Sequence, residues 1–269
     1  MSGAIRVSHY SGCGNDFLII DDRMEWFPAT STTLIQQLTH TANVDGLILV
    51  RKGQKNNFAM KYFNNDGKEA SMCGNGLRCF YKFLREKIGS KETDETIEIG
   101  ALLLEVKEAG QNVRVAMGKV EKLGWNIELD FNGKKWIWHH LNTGVPHIVT
   151  FVDDVDAVDV QVVGSFFRNH PQFQPAGTNV NFVDAENMRI RTFERGVEAE
   201  TLACGTGCTA AGFACAKLKE KKLPIRLQVQ SKEHLEIDVV HDKAFMTGPA
   251  RWIRDGQLSQ RDFTLTFQP

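Results

Sequence analysis

The chain carries one pattern twice, and this repeat limits its possible folds more than any other feature of the sequence. In the first copy, a strand-like segment at 56–63 and a polar turn lead to the sequence CGNGLRCFYKFLREK at 73–87. In the second copy, a strand-like segment at 188–193 and a polar turn lead to CGTGCTAAGFACAKLKEK at 204–221. A pattern repeated at this scale is typical of a supersecondary unit that occurs twice.

The two copies remain alike downstream of their helices. Residues 101–120 and 234–250 each alternate apolar and polar side chains on both sides of a turn, which predicts a pair of strands in each copy. The cysteine that opens each helix precedes the glycine that closes the second strand by 45 residues in the first copy and 44 in the second. This order and spacing predict an α+β protein of two pseudo-symmetric homologous domains, each with one principal helix.

The two predicted helices differ in how much of their surface is apolar. In the first, Leu77, Phe80, Tyr81 and Leu84 form a single apolar stripe. The second helix, within 204–221, is small or apolar nearly all round, which predicts burial on most sides. A curved sheet, mixed or antiparallel, that wraps around a central helix would provide such burial.

Each helix is entered through C-G-x-G, which places a thiol beside an anion-binding stretch of backbone. The first N–H groups of a helix lack internal partners and the helix dipole puts about half a positive charge there, so each entrance suits a carboxylate. The same field lowers a cysteine pKa from its usual value of about 8.5. If two such thiols face each other across an interdomain cleft, one can remove a proton from a carbon and the other can return one to its opposite face. Nothing in the sequence indicates pyridoxal phosphate, and we expect neither a cofactor nor a metal at this site.

Composition restricts the class of partner. Hydrophobic residues make up 42% of the chain, and 32 Lys and Arg balance 33 Asp and Glu, so nothing favours nucleic acid or an anionic membrane surface. No apolar run approaches the roughly 18 residues that span a bilayer, and the first residues lack the pattern of a signal peptide. Six cysteines in such a chain indicate reduced thiols and a cytoplasmic protein.

The cysteines also admit other interpretations. Cys79 and Cys215 are typical of small buried apolar residues. Cys204 and Cys208 lie four residues apart on one helical face and could form half of a metal site, although no CxxC pair or histidine cluster accompanies them. A cysteine-based metal-binding or redox module therefore stays open as an alternative function, as does a cysteine–histidine hydrolase.

Seven motifs make the chain resemble the diaminopimelate epimerases, which are PLP-independent enzymes with two catalytic cysteines. The motifs occur in the order of the family: GCGNDF (12–17), FNNDG (63–67), CGNGLRC (73–79), PHIV (146–149), GTNVNF (177–182), ERGVEAETLACGTG (194–207) and MTGPA (246–250). The resemblance implies interconversion of L,L- and meso-diaminopimelate for lysine and peptidoglycan biosynthesis. It also implies a homodimer whose subunits have an N-terminal domain (1–118 with 252–269), a C-terminal domain (119–251) and an active site between the two.

The resemblance further implies the roles of individual residues. Cys73 and Cys204 would be the acid/base pair, one as thiolate and one as thiol in each direction. The residues implied in substrate binding are Asn15, Asn64, Gly74, Asn75, Asn179, Glu194, Arg195, Gly205 and Thr206. The two residues that follow each cysteine would bind the reacting α-carboxylate, and the others would hold mainly the distal amino-acid end. His147 and Glu194 match positions that tune or orient the thiols.

Taken singly, several of these residues have plainer interpretations. Glu194 and Arg195 could form a solvated ion pair in a loop, and His147 could be a structural histidine. The three asparagines could use their side chains in local turns. Only their occurrence together favours a binding site.

Two positions depart from the pattern of the family. Many members have Asp-Gln where this chain has Asp45-Gly46, and Asn-Pro-His where it has Val145 before Pro146. Both changes remove an amide from the side of the site that binds the distal end of the substrate. Because a site with fewer matched hydrogen bonds discriminates less well, we expect relaxed substrate choice that extends to smaller amino acids such as glutamate.

Overall fold

The computed structural model describes residues 4–70 and 72–267, and its strands and helices are numbered here along the chain. The strands are β1 (Ala4–Gly12), β2 (Asn15–Asp21), β3 (Gly46–Lys52), β4 (Phe58–Asn64), β5 (Glu69–Ala70), β6 (Asp94–Ile99), β7 (Leu102–Ala109), β8 (Asn112–Lys119), β9 (Glu121–Phe131), β10 (Lys134–Asn142), β11 (Pro146–Phe151), β12 (Asn179–Asp184), β13 (Arg189–Glu194), β14 (Ala199–Thr201), β15 (Ile225–Gln228), β16 (His234–Val240), β17 (Lys243–Gly248), β18 (Arg251–Ser259) and β19 (Leu265–Phe267). The α-helices are α1 (Thr32–Ala42), α2 (Gly74–Phe83), α3 (Val160–Arg168) and α4 (Gly205–Leu218). A π-helical turn (Leu84–Ile88) extends α2, and a 3-10 turn (Pro171–Phe173) follows α3.

The chain forms two compact units. Unit 1 contains the residues up to Val115 together with those from Pro249 onward, and unit 2 contains Ala116–Gly248. Each unit has its own series of paired strands and its own central helix, α2 in unit 1 and α4 in unit 2.

In unit 1 the strands are arranged in the order β19-β18-β1-β2-β3-β4. Strand β4 then pairs with both β5 and β6, and the sheet continues through β7 to β8. The pairs β2–β3 and β4–β6 are parallel, and the other pairs in this series are antiparallel. Helix α1 forms the crossover between β2 and β3, as a parallel pair requires.

Unit 2 repeats this topology from the strand equivalent to β18 onward, and among the described strands β19 is the additional one of unit 1. Its order is β9-β10-β11-β12-β13, after which β13 pairs with both β14 and β15, and the sheet continues through β16 to β17. The parallel pairs are β11–β12, connected through α3, and β13–β15, connected through α4. The α+β class and the internal repeat predicted from the sequence are therefore confirmed.

The central helix of unit 1 is buried along the apolar stripe predicted for it. Leu77, Phe80, Tyr81 and Leu84 are all at most 1% exposed. The helix contacts β1, β2, β3, β4, β7 and β18, so the sheet of unit 1 curves around it.

The central helix of unit 2 is packed more closely because its residues are small. It contacts seven strands of its unit, β10 to β13 and β15 to β17. A Cβ atom added at Gly212 would lie only 2.7 Å from the Cβ of Ile237 in β16, so the helix and the sheet approach each other where a side chain is missing. The prediction that this helix is buried on most sides is confirmed.

Each unit has a second core on the outer side of its sheet. In unit 1, α1 packs Ile35 and Leu38 against β-strand residues such as Leu18 and Leu47. In unit 2, α3 contributes Phe167 to an aromatic cluster that also contains Trp136, Trp138, Phe173, Phe182 and Phe193. Among the described residues, no helix is both long enough and apolar enough to cross a membrane.

Candidate active site

Cys73 is the N-cap residue of α2, at the point where the repeat predicts a reactive thiol. Its backbone is extended (φ −142°), and its sulfur accepts the N–H of Gly76 at 3.3 Å. The Oδ1 atom of Asn15 lies 3.9 Å from the same sulfur. Gly74 and Asn75, the first two helical residues, follow directly, so the thiol lies beside the N-terminal end of the helix. This geometry suits both a thiolate and a bound carboxylate.

Helix α2 is held in place by a buried arginine that the sequence analysis did not single out. Arg78 is fully buried, and its Nε donates to the carbonyl oxygen of Pro249 at 3.1 Å. Its Nη2 lies 3.6 Å from the sulfur of Cys13, in the loop between β1 and β2 that leads to Asn15. The arginine therefore connects the helix with the loop that positions Asn15.

Asn64 ends β4 on the same sheet face as Asn15. Asn64 pairs with Gly46 of β3, and Gly46 pairs with Phe17 of β2, two residues after Asn15. Because side chains two residues apart in a strand point to the same face, both asparagines project from one side of the sheet of unit 1. The Oδ1 atom of Asn64 accepts the hydroxyl of Tyr62 at 2.8 Å.

Cys204 is the N-cap residue of α4, in the position equivalent to Cys73. It is 6% exposed, and its sulfur lies 3.5 Å from the hydroxyl oxygen of Thr206. Burial raises the pKa of this thiol well above its ordinary value, and the negative charge of Glu194 raises it further. The hydroxyl of Thr206 and the N–H of Gly207 lower the pKa, but by less. Cys204 is therefore a protonated thiol near neutral pH.

The first turn of α4 is tied to the preceding strands. Thr143, after β10, donates from its hydroxyl to the carbonyl oxygen of Thr206 at 3.2 Å. Gly205, the first residue of the helix, is buried. The N–H groups at this end of the helix are thereby fixed in the position predicted for carboxylate binding.

Glu194 and Arg195 lie at the end of β13, and each has a hydrogen-bond partner of its own. The Oε1 atom of Glu194 accepts the hydroxyl of Thr201 at 2.5 Å. Arg195 donates from Nη1 to the carbonyl oxygen of Ala176 at 2.7 Å. The carboxylate and the guanidinium are therefore each oriented by a different partner.

Asn179 supports this loop. Its Nδ2 donates to the carbonyl oxygen of Pro146 at 2.9 Å, and its Oδ1 accepts the backbone N–H of Arg195 at 2.9 Å. The residue is 4% exposed. Part of the hydrogen-bonding capacity expected for substrate is thus used to hold the backbone of unit 2.

His147 is fully buried and has a defined tautomer. Asn181, on β12, donates from Nδ2 to the carbonyl oxygen of Ile148 at 2.9 Å, so this end of the amide must be the NH₂ group. The same Nδ2 lies 3.1 Å from Nδ1 of His147, while Thr192 donates to the other end, Oδ1, at 3.0 Å. Nδ1 of His147 must therefore accept, and the ring carries its proton on Nε2.

Burial also fixes the charge of this histidine. It lowers the pKa of His147 to about 3, with smaller contributions from the positive charge of Arg195 and from the neighbouring His140. Within the described part of the chain, its Nε2 has no hydrogen-bond partner. The ring is therefore a neutral donor whose N–H remains available.

Asn181 was not predicted, although a signal for it was present in the sequence. In the motif GTNVNF it follows Asn179 by two residues, so a strand places both amides on one face. The bond to His147 also requires the parallel pairing of β11 with β12, in which Val149 lies opposite Asn181.

The other cysteines are buried within the two central helices and their surroundings. Cys79, Cys208 and Cys215 are all 0% exposed, and burial raises the pKa of Cys215 to about 12. Across residues 4–70 and 72–267, no three histidine, cysteine, aspartate or glutamate side chains are grouped so that they could hold a metal ion. The geometry does not favour the metal-site interpretation of Cys204 and Cys208.

The chain is similar to known proteins in sequence and in fold. The model of the family "Diaminopimelate epimerase" matches residues 7–123 and 140–253. A diaminopimelate epimerase of Aquifex aeolicus is 39% identical and covers 93% of this chain and 96% of its own length. One from Hydrogenobaculum is 40% identical, with coverage of 96% and 99%, and one from Archaeoglobus fulgidus is 38% identical, with coverage of 94% and 96%.

Solved structures agree at the level of the fold. A phenazine biosynthesis protein of the PhzF family from Bacillus anthracis superposes with a TM-score of 0.73 at 15% identity, covering 95% of this chain and 99% of its own. A hydroxyproline epimerase from Agrobacterium vitis superposes with a TM-score of 0.71 at 13% identity, covering 97% and 95%. The match to the family and the identity to its members over nearly their full length establish that this chain belongs to the diaminopimelate epimerase family.

Proposed function

We propose that the protein is a cofactor-independent isomerase that converts L,L-diaminopimelate to meso-diaminopimelate by a two-base thiol mechanism, for lysine and peptidoglycan biosynthesis. One observation carries this proposal: both copies of C-G-x-G begin a buried central helix with a cysteine as the N-cap residue. An epimerase of this kind needs a proton acceptor and a proton donor on opposite faces of one carbon, and the repeat supplies one such group per unit. The substrate in this proposal is a small molecule, an amino acid.

We propose that the two thiols differ in protonation state at rest. The sulfur of Cys73 accepts an N–H from the first turn of α2, which favours the thiolate. Burial and Glu194 favour the protonated form of Cys204. In the direction from L,L to meso, we propose that Cys73 takes the α-proton and Cys204 delivers its own proton to the opposite face, leaving a Cys73 thiol and a Cys204 thiolate. The reverse reaction exchanges these roles.

The N-terminal ends of the two helices support the charge that develops during this step. When the α-proton leaves, negative charge spreads onto the α-carboxylate. Backbone N–H groups at Gly74 and Asn75, and at Gly205 and Thr206, are donors of the kind that stabilise such charge. Because these donors are held in place by their helices, they need little reorganisation during the reaction.

The distal amino-acid end of the substrate needs partners for an ammonium and a carboxylate. We propose that Glu194 binds the ammonium and Arg195 the carboxylate, since the guanidinium of Arg195 keeps N–H donors beyond the one given to Ala176. Asn15 and Asn64 bind the same end of the substrate, and Asn179 holds the loop on which Arg195 lies.

We propose that His147, through its Nε2–H, and Glu194, through its carboxylate, tune or orient the catalytic thiols. Its neutral state follows from burial, and its tautomer follows from Asn181. A neutral donor suits this role because its N–H can hydrogen-bond to a thiolate while the imidazole itself carries no charge.

We further propose that 1–118 with 252–269 and 119–251 act as the two catalytic domains, that the enzyme is a homodimer, and that it works in the cytoplasm. Gel filtration with light scattering at micromolar concentration tests the dimer, and a molecular mass near that of one chain would contradict it.

The epimerase is tested with purified, reduced protein and L,L-diaminopimelate, by separating the stereoisomers after incubation. We expect meso product from the wild type and from the control variant Cys215→Ala. This control removes a buried thiol from α4, the helix that Cys204 caps. We expect none from Cys73→Ala or Cys204→Ala, since either change removes one of the two bases. Product from either of these variants would contradict the two-base mechanism.

Substrate breadth is tested by the ratio of kcat/KM for diaminopimelate to that for glutamate. The loss of amides at Gly46 and Val145 predicts a smaller ratio than in relatives that carry Gln and Asn at these positions. An equally large ratio would show that other residues compensate.

A further inference from the structure

The position of Gly46 leaves no room for a side chain. A Cβ atom added there would lie 2.5 Å from the carbonyl oxygen of Phe63 and 2.6 Å from the ring of Tyr62. The second contact is the informative one, because Tyr62 lies on β4 two residues before Asn64, which pairs directly with Gly46. The ring of Tyr62 therefore occupies the space in which a side chain at residue 46 would begin.

The internal repeat shows what this position holds in the other unit. Gly46 opens β3 opposite Phe17 and Asn64, just as Asn179 opens β12 opposite His147. In unit 2 the amide of Asn179 fills the position and holds the loop that follows β13. In unit 1 an aromatic ring from the neighbouring strand fills it instead.

Tyr62 is held in this place from two sides. Its ring packs edge-on against Phe17, with centroids 5.8 Å apart and an interplanar angle of 74°. The residue is 6% exposed, and its hydroxyl donates to Oδ1 of Asn64 at 2.8 Å. A buried ring whose hydroxyl reaches a neighbouring polar side chain is a suitable support for that side chain.

In the structure, the Oδ1 end of the Asn64 amide faces the hydroxyl of Tyr62. A tyrosine hydroxyl that donates to Oδ1 leaves the NH₂ group of Asn64 at the other end of the amide, where both of its hydrogens are donors. Asn64 is exposed, so this end can meet a ligand. Two N–H donors match a carboxylate and not an ammonium.

We infer that Tyr62 is a positioning residue that orients the amide of Asn64 to donate to the distal carboxylate of the amino-acid substrate, in place of a side chain at residue 46. This inference rests on the proposed function, because it takes Asn64 as part of the substrate site. It deepens that function by assigning the distal carboxylate of the substrate to the NH₂ group of Asn64.

The first test is Tyr62→Phe, which keeps the ring and removes the hydroxyl. We expect KM for diaminopimelate to rise about fivefold with kcat nearly unchanged, since one hydrogen bond that supports ground-state binding is lost. Tyr81→Phe is the matched control, because Tyr81 is also buried but its hydroxyl donates to the carbonyl oxygen of Thr93. A KM for Tyr62→Phe within twofold of the wild type would overturn the inference.

The second test separates positioning from packing. Asn64→Ala should raise KM by itself, and Tyr62→Phe should add nothing further in the Asn64→Ala background, because the hydroxyl acts through that amide. Equal effects of Tyr62→Phe in both backgrounds would show that the hydroxyl acts by another route.

The third test needs no catalysis, so it distinguishes this inference from the proposed function. The ¹⁵N–¹H signals of the Asn64 side chain, assigned by their loss in Asn64→Ala, should shift in Tyr62→Phe and stay in place in Tyr81→Phe. If the wild type fails to epimerise diaminopimelate, the proposed function fails, while these signals still decide whether Tyr62 orients the amide. Unshifted signals in Tyr62→Phe would overturn the inference.

Discussion

At the scale of single residues, the candidate site depends on amides that orient other groups. Asn181 directs its NH₂ end to Ile148 and His147 and its oxygen to Thr192. Asn179 orients the backbone of Arg195, whose N–H donates to Oδ1 of Asn179. An amide is suited to such a role because one end only donates and the other only accepts. Once its orientation is set, each neighbouring group faces a defined donor or acceptor.

Asn181→Asp should change the state of His147. A carboxylate cannot donate, so Nδ1 of His147 would have to carry the proton, and the added negative charge would raise its pKa from about 3. The ¹⁵N shifts of the imidazole across a pH titration report both the tautomer and the pKa. Asn179→Asp is the matched control, since the amide of Asn179 faces backbone groups. A ring that remains protonated on Nε2 with an unchanged pKa would contradict this assignment.

Single residues were predicted to different extents. Cys73 and Cys204 were found from the repeat and the chemistry of helix N-termini, and the structure has both as N-cap residues. Tyr62 and Asn181 were missed, although each lies two residues from a predicted asparagine on the same strand face. Their roles depend on which neighbouring strand lies opposite, and strand pairing is a property of the tertiary structure that local sequence does not carry.

At the scale of secondary-structure elements, the two central helices begin in the same way but have different neighbours. A Cβ atom at Gly76 would lie 3.2 Å from Cδ1 of Ile48, the flexible end of an aliphatic side chain. A Cβ atom at the equivalent Gly207 would collide with Oδ1 of Asn181, which is held by Thr192. The helix entrance of unit 2 is therefore the more constrained of the two.

Gly207→Ala should destabilise the protein more than Gly76→Ala. In Gly76→Ala the small crowding is offset by the higher helix propensity of alanine, so the free energy of unfolding should change by about 1 kcal/mol or less. In Gly207→Ala the hydrogen-bonded amide must move, and a loss of about 2 kcal/mol is expected. Urea denaturation of both variants measures the difference. Equal losses, or a larger loss for Gly76→Ala, would contradict this difference between the helix entrances.

The order of the elements was largely predictable, and the exceptions have a physical cause. The two central helices and the strand pairs after them follow from hydrophobic periodicity repeated twice. Helices α1 and α3 were not predicted, although Ser31 and Asp159 cap them with side-chain hydrogen bonds typical of helix starts. The parallel pairs β2–β3 and β11–β12 could not be read from the sequence, because each joins strands that are separated by one of these two unpredicted helices.

At the scale of the whole molecule, several histidines are buried in their neutral form. Burial lowers the pKa of His139 to about 4, with a smaller contribution from Lys219, and lowers that of His147 to about 3. In the unfolded chain both would bind a proton near pH 6.5. Below that pH the unfolded state therefore takes up more protons than the folded state, and the protein is destabilised as pH falls from about 6.5 toward the folded-state values.

His139→Gln should weaken this dependence on pH. Each such histidine contributes a slope of at most about 1.4 kcal/mol per pH unit between its two pKa values, so the variant should lose stability less steeply between pH 6 and pH 4.5. The free energy of unfolding, measured by urea denaturation at several pH values, gives the slope. His241→Gln, which replaces an exposed histidine, is the control. A slope for His139→Gln as steep as that of the wild type would contradict the neutral buried state of His139.

The most direct test of the two-thiol mechanism is the fate of the α-hydrogen when the reaction is run in D₂O. Thiols exchange with solvent, so the thiol that delivers the new hydrogen would carry deuterium before it reacts. We predict that meso-diaminopimelate isolated at low conversion carries deuterium at the inverted α-carbon, while the remaining L,L substrate is almost free of it. Proton NMR and mass spectrometry of the separated isomers measure both. Product that retains the original α-hydrogen would show that a single group removes and returns the proton, and would contradict the roles assigned to Cys73 and Cys204.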